Sequence, residues 1–123
     1  MTNGSRKILI VDDSEMVRNF HSYIIKMFGY EAVTAENGAV ALEKLLSEKI
    51  DLLITDINMP KMDGYELIRN VYEQGIFIPV IIISTEEEYK PELIHAKLCQ
   101  SVHLDKPTNP EKLIKTVKAF FQN

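Results

Sequence analysis

Apolar residues in this chain alternate between two rhythms. Ile8, Leu9, Ile10 and Val11 form an unbroken run rich in β-branched residues, the pattern of a strand buried on both faces, as in parallel sheets. Asp12, Asp13 and Ser14 stop that strand and offer a helix cap. Val17, Phe20, Ile24 and Met27 then recur at three-and-four spacing, the apolar stripe of a helix running to about Phe28. Gly29 suits the left-handed position past its end. Residues 32–35 read as a weak edge strand, and Asn37 caps a second helix with Leu42, Leu45 and Leu46 on its inner face. Residues 51–56 form a third strand. A helix follows over 65–74, with Leu67, Ile68, Val71 and Tyr72 in register and Gly75 at its end. Pro79 opens a fourth strand over 80–83, closed by Ser84 and Thr85. Glu86, Glu87 and Glu88 make an acidic loop, and Pro91 starts a short helix to about residue 98. Residues 101–105 are a short edge-like strand, ended by Lys106-Pro107. Asn109 and Pro110 open the last helix, whose wide apolar face holds Leu113, Ile114, Val117, Phe120 and Phe121.

Five alternations with short connections predict an α/β fold. It is a doubly wound parallel sheet with right-handed crossovers and helices on both faces. A length of 123 residues fits one domain, 1–123, and 46% hydrophobic content supports an ordinary core. The formal charge of −4 does not favour a nucleic-acid surface. Cys99 is the sole cysteine, so no internal disulfide forms. The N-terminus is polar and no apolar run approaches membrane-spanning length. The expectation is a soluble cytoplasmic domain that does not engage a membrane.

All strands of a parallel sheet point one way. Asp12 and Asp13, Asp56, Ser84 and Lys106 each follow a different strand and therefore share one edge of the sheet. If the first and third strands are neighbours, three carboxylates converge. Two such charges about 4 Å apart repel by roughly 4 kcal/mol at an effective dielectric near 20. A cation is the natural remedy, and oxygen ligands without His or Cys favour Mg²⁺, or Mn²⁺ in its place. An aspartate in such a site can attack phosphorus and become an aspartyl phosphate. Lys106 would hold one phosphoryl oxygen as a point charge, and the Ser84 hydroxyl would donate to another. Each residue also has a plainer reading: the acid pair as a helix cap, Asp56 as a turn acid, Lys106 as a solvated charge, Ser84 as a strand terminator. His21 and His95 read as solvated positions on helices, and Cys99 as a small hydrophobe.

ILIVDDS at 8–14, DLLITDINMPKMDG at 51–64, PVIIIST at 79–85 and LDKP at 104–107 occur in this order. Together they resemble the receiver domain of two-component response regulators, over essentially the whole chain. The resemblance implies a CheY-like, flavodoxin-like (βα)5 fold with strand order 2-1-3-4-5. It implies that Asp56 accepts phosphoryl from a sensor histidine kinase or a histidine phosphotransfer protein. Asp13 would be the principal metal ligand, with Asp12 acting beside it through water and Asn58 offering its backbone carbonyl. Ser84 would be the switch hydroxyl, Thr85 a backbone N–H donor to phosphate and Lys106 the phosphate-pairing lysine, with Lys106-Pro107 cis. The surface built from the fourth helix, fifth strand and last helix would control a downstream protein, as a monomer or a phosphorylation-dependent dimer. The chain departs from the family at His103, where a switch tyrosine or phenylalanine is usual. Histidine there makes pH dependence an expectation. Cys99, Gln100 and Pro91 also depart from the usual fourth-helix stretch.

Competing readings remain. An aspartate-nucleophile phosphohydrolase would need an acid two residues after Asp56, where Asn58 stands. A flavin or nucleotide binder would need a phosphate-cradling first loop, where Asp12 and Asp13 stand. The expectation is a signalling phosphoacceptor rather than an enzyme, either stand-alone or excised from a longer regulator or hybrid kinase.

Overall fold

The computed structural model describes residues 6–94 and 100–122. Five strands, β1 (Lys7–Val11), β2 (Glu31–Ala35), β3 (Leu52–Asp56), β4 (Val80–Ser84) and β5 (Ser101–Asp105), form one sheet in the order β2-β1-β3-β4-β5. Every pairing is parallel. Both faces are covered. Ile8 and Ile10 of β1 look to one side with Ile24 and Ile25 of α1 (Glu15–Met27) and Leu113, Ile114 and Val117 of α4 (Pro110–Phe121). Leu9 and Val11 look to the other, with Ala41 and Leu45 of α2 (Gly38–Ser47) and Leu67, Ile68 and Val71 of α3 (Gly64–Glu73). The two-sided burial explains why the strands are unbroken apolar runs rather than alternating ones.

Helix starts follow the side chains expected to cap them. Ser14, Asn37, Asp63 and Asn109 each accept the N–H three residues on. At Asp63 the Glu66 side chain returns the bond, closing a capping box. Gly29 has φ +90°, the left-handed conformation expected past α1.

Three helical expectations need correction. Phe20 and Met27, read as part of the stripe of α1, are largely exposed, and His21, read as solvated, is buried. The inward face of α1 is His21, Ser22, Ile24 and Ile25. Burial pushes the His21 imidazole below its ordinary pKa, because the charged form is poorly solvated there. Leu46, placed on the inner face of α2, is also exposed, and Ala41 and Leu45 face inward. Of the helix expected from Pro91, the described residues show only a 3-10 turn, Pro91–Leu93, with Ile94 extended after it. His95 and Cys99, with the remaining positions of that expectation, lie outside the described residues.

Gly64, the first residue of α3, is where the fold leaves no room for a side chain. A Cβ there would lie 2.4 Å from the Asp56 carbonyl oxygen and 3.0 Å from the Ile57 Cα. Its N–H donates to the Ile57 carbonyl at 2.8 Å, closing the loop that follows β3. Gly64→Ala is therefore expected to destabilise the protein by about 1–3 kcal/mol through backbone displacement. A lowered urea midpoint with an unchanged slope is the check.

Candidate functional site

Order reversal in the sheet places the ends of β1 and β3 side by side, because β1 pairs with β2 on one flank and β3 on the other. Ligands of open α/β sheets bind in the crevice at such a switch point. Val11 pairs with Thr55, so Asp12 and Asp56 follow in the same register. Asp12 and Asp56 are buried and Asp13 is exposed, and one carboxylate oxygen from each lies within 4.8 Å of the others. They line a cleft of about 340 Å³ with Lys106, Pro107, Phe20 and His21. The oxygen-only donor set fits a hard divalent cation such as Mg²⁺.

The acids are held from several sides. The Ser14 N–H donates to Asp12 Oδ1 at 2.9 Å, and Arg18 donates to the Asp12 carbonyl at 2.7 Å. Asp56 Oδ1 accepts from the Ile57 N–H at 2.8 Å and meets Lys106 Nζ at 2.8 Å. Burial raises the Asp12 pKa to about 6. The Ser14 N–H works against it, and the neighbouring Asp56 charge adds to it. Burial also raises the Asp56 carboxyl, and outweighs Lys106 and the Ile57 N–H; the Glu88 charge pushes the same way. Burial alone would lower the Lys106 ammonium, but its hydrogen bond to Asp56 and the surrounding acids outweigh that, and its pKa rises. The pocket is thus short of positive charge, which a dication would supply.

Ser84 is fully buried at the end of β4, one strand from Asp56. Its hydroxyl donates to the Thr85 carbonyl at 3.0 Å and meets His103 Nε2 at 2.9 Å. In this state its contacts lead toward β5 rather than to Asp56. The His103 ring stacks on Tyr89, with centroids 3.9 Å apart and planes 2° from parallel. His103 Nε2 also lies 3.9 Å from Asp105 Oδ1. The Lys106-Pro107 bond is cis. Asn58 is exposed on the loop after β3, and its side-chain amide donates to Glu88.

The geometry thus joins Asp12, Asp13, Asp56 and Lys106 directly, and Ser84 with His103 in a neighbouring pair. Sequence reasoning missed Glu88, whose carboxylate also accepts from the Thr85 N–H at 3.2 Å. It missed Arg18, one turn into α1. Arg18 carried a faint signal, a cation one helical turn after the acid pair. Glu88 carried none beyond its place in a run of three acids.

A family model described as the response regulator receiver domain matches residues 8–118. The alkaline phosphatase synthesis transcriptional regulatory protein PhoP of Bacillus subtilis is 30% identical over 118 residues, covering 96% of this chain and 49% of its own length. The CAI-1 autoinducer sensor kinase/phosphatase CqsS of Vibrio cholerae is 32% identical over 118 residues, covering 94% of this chain and 17% of its own. The chain therefore spans about half the length, or less, of these curated relatives. Chemotaxis protein CheY4 of Vibrio cholerae matches with a TM-score of 0.85 at 36% identity, over 96% of this chain and 100% of that one. TrrA of Thermotoga maritima, solved with Mg²⁺-BeF, matches with a TM-score of 0.83 at 30% identity, over 94% and 99%. Among the described residues no helix is long and apolar enough to cross a membrane. The strand order, the acid cleft at its switch point and these matches agree: the chain belongs to the response regulator receiver domains of two-component signalling.

Proposed function

We propose that Asp56 is a phosphoacceptor, charged by a phosphohistidine on a sensor histidine kinase or a histidine phosphotransfer protein. The observation that carries this reading is a buried carboxylate paired with Lys106 at 2.8 Å and clustered with Asp12 and Asp13. Lys106 and the Ile57 N–H both engage Oδ1, so Oδ2 is the nucleophile. Its lone pair forms the new P–O bond as the P–N bond breaks, and the imidazole leaves with the electron pair. When bound, a divalent ion held by Asp12, Asp13, Asp56 and the Asn58 carbonyl neutralises charge on the phosphoryl oxygens. Lys106 follows the new group and holds one oxygen, with the Thr85 N–H and the Ser84 hydroxyl available to others. The chain is not an enzyme on other substrates; at most it speeds its own phosphorylation and hydrolysis. Added charge beside Ser84 then biases the surface that includes β5 and α4, and so controls a downstream protein.

Uptake is tested with Mg²⁺ and acetyl phosphate, followed by intact mass. A gain of one phosphoryl group supports the reading, and no gain at any donor concentration contradicts it. Multiple turnover of phosphate monoesters would instead favour a phosphohydrolase.

The protein donor has a ready place to dock. Met16, Phe20, Tyr23 and Met27 of α1 are 80%, 47%, 65% and 61% exposed, and Phe20 also lines the acid cleft. An apolar face this close to Asp56 suits a partner helix carrying the phosphohistidine. Tyr23→Ala is expected to lower the ratio of the protein-donor rate to the acetyl phosphate rate about tenfold, the loss of one interface anchor. Stopped-flow transfer from a phosphorylated kinase domain measures it.

The length of the curated relatives favours a second setting, a receiver within a longer regulator or hybrid kinase. The complete open reading frame separates it from a stand-alone switch.

A further inference from the structure

A phosphoryl group on Asp56 carries three oxygens and needs donors at the carboxyl ends of β3 and β4. Three donors converge there from separate segments. Lys106 Nζ is already on Asp56. The other two, the Thr85 N–H and the Asn58 side-chain amide, are both taken by Glu88, one on each carboxylate oxygen. The Glu88 carboxylate thus bridges the loops that leave β3 and β4. It is the resident anion of the place where a second anion must arrive.

The backbone beneath it is fixed. The Glu88 N–H donates to Thr85 Oγ1 and to the Thr85 carbonyl, each at 3.2 Å. The Glu88 carbonyl accepts from the Tyr65 hydroxyl at 2.8 Å. Tyr65 belongs to α3, so the loop is tied to a rigid element, while the Glu88 side chain is half-buried. The next residue, Tyr89, stacks on His103.

We propose that Glu88 is a built-in competitor of the phosphoryl group, a positioning residue that holds the Thr85 N–H and the Asn58 amide until phosphorylation of Asp56 expels it. The idea rests on the phosphoacceptor reading. Its physical content is simple: two anions cannot share one N–H donor at contact distance, and the incoming group carries more charge than the carboxylate it displaces. Glu88 therefore slows loading and loosens the grip on phosphoryl mimics. Its release removes the carboxylate bridge between the loops after β3 and β4, beside the Tyr89–His103 stack that leads to β5.

The test compares wild type with Glu88→Gln, Glu88→Ala and Glu87→Gln. The last removes the same charge one residue away, from a side chain exposed to solvent. Loading by acetyl phosphate is followed by intact mass, and beryllofluoride affinity by ¹⁹F NMR, both with saturating Mg²⁺. Both Glu88 variants are expected to load faster and bind beryllofluoride about tenfold tighter, the scale of one charge-assisted hydrogen bond removed from competition. Glu87→Gln should change either quantity less than twofold. Without metal or phosphoryl donor, Thr85 amide exchange should be about tenfold faster in Glu88→Ala, because its acceptor is gone. Wild type that gains mass while the Glu88 variants gain it no faster, or no faster than Glu87→Gln, overturns the competitor. Unchanged Thr85 exchange overturns it too. Wild type that gains no mass overturns the phosphoacceptor reading and the competitor with it.

Discussion

Asp56→Asn is expected to take up no phosphoryl group from acetyl phosphate or from a phosphohistidine donor, a loss beyond a thousandfold. The amide nitrogen is not a nucleophile toward phosphorus, and no other carboxylate in the cleft is paired with Lys106. Asp12 and Asp13 share the cleft but lack that partner, so they cannot stand in. The fold should survive the change. Asp56 is buried and its charge is disfavoured there, so a neutral side chain of the same shape removes a desolvation cost. The contrast is the test: uptake lost by intact mass, with thermal stability equal or higher. An Asn variant that loads like wild type would remove Asp56 from the role.

The second large effect concerns pH and Mg²⁺. The Asp12 carboxyl has its pKa raised from 3.8 to about 6 by burial and by like charge. The folded state therefore binds this proton more tightly than the unfolded chain. The stabilisation is complete below the unfolded value of 3.8 and is lost as pH rises through about 6. Metal-free protein should thus lose roughly 2.4 kcal/mol between pH 4 and pH 7 from this group. Mg²⁺ should reverse the loss. It binds the deprotonated acids of the folded state only, and at a hundredfold excess over its dissociation constant it contributes about 2.7 kcal/mol. The expected result is a melting temperature raised by several degrees by Mg²⁺ at pH 7.5 and hardly at pH 4.5. Asp12→Asn should flatten the metal-free pH profile, raise stability at pH 7.5 and shrink the Mg²⁺ shift. Calorimetry across that range, with and without Mg²⁺, measures all three. A Mg²⁺ shift equal at both pH values would contradict this account.

Much of the fold was legible because the sheet is buried on both faces. β1, β3 and β4 each carry an unbroken apolar run, at 8–11, 52–54 and 80–83, the pattern of a parallel strand covered on both faces. Strand ends then share an edge by geometry alone, so Asp12, Asp13, Asp56 and Lys106 could be grouped before any distance was known. Strand order was different: periodicity cannot supply it, and it came from the family resemblance. Helix faces were less legible. Spacing defines a stripe on α1 but not its centre, and a rotation of part of a turn put Phe20 and Met27 in solvent and His21 inside. An aromatic at the rim of a stripe serves a core or a docking surface equally well. Loop paths were least legible. Glu88 reaches Thr85 and Asn58 only because a turn after β4 is anchored to Tyr65, and nothing in a run of three glutamates distinguishes its last member.

His103 shows how a departure from the family changes the local physics. His103 is tied inward by Ser84 Oγ at 2.9 Å and flanked by the Tyr89 ring. The Ser84 proton is on the Thr85 carbonyl at 3.0 Å, so turning it toward Asp56 would break that bond while the oxygen could still meet His103 Nε2.

The most direct measurement is a crystal structure of the protein with Mg²⁺ and beryllofluoride. The account predicts the beryllium on an Asp56 carboxylate oxygen and Lys106 Nζ on one fluorine. The ion should be coordinated by Asp13, Asp56 and the Asn58 carbonyl, with Asp12 beside it. Beryllofluoride on any other side chain, or an ion bound away from these acids, would contradict it.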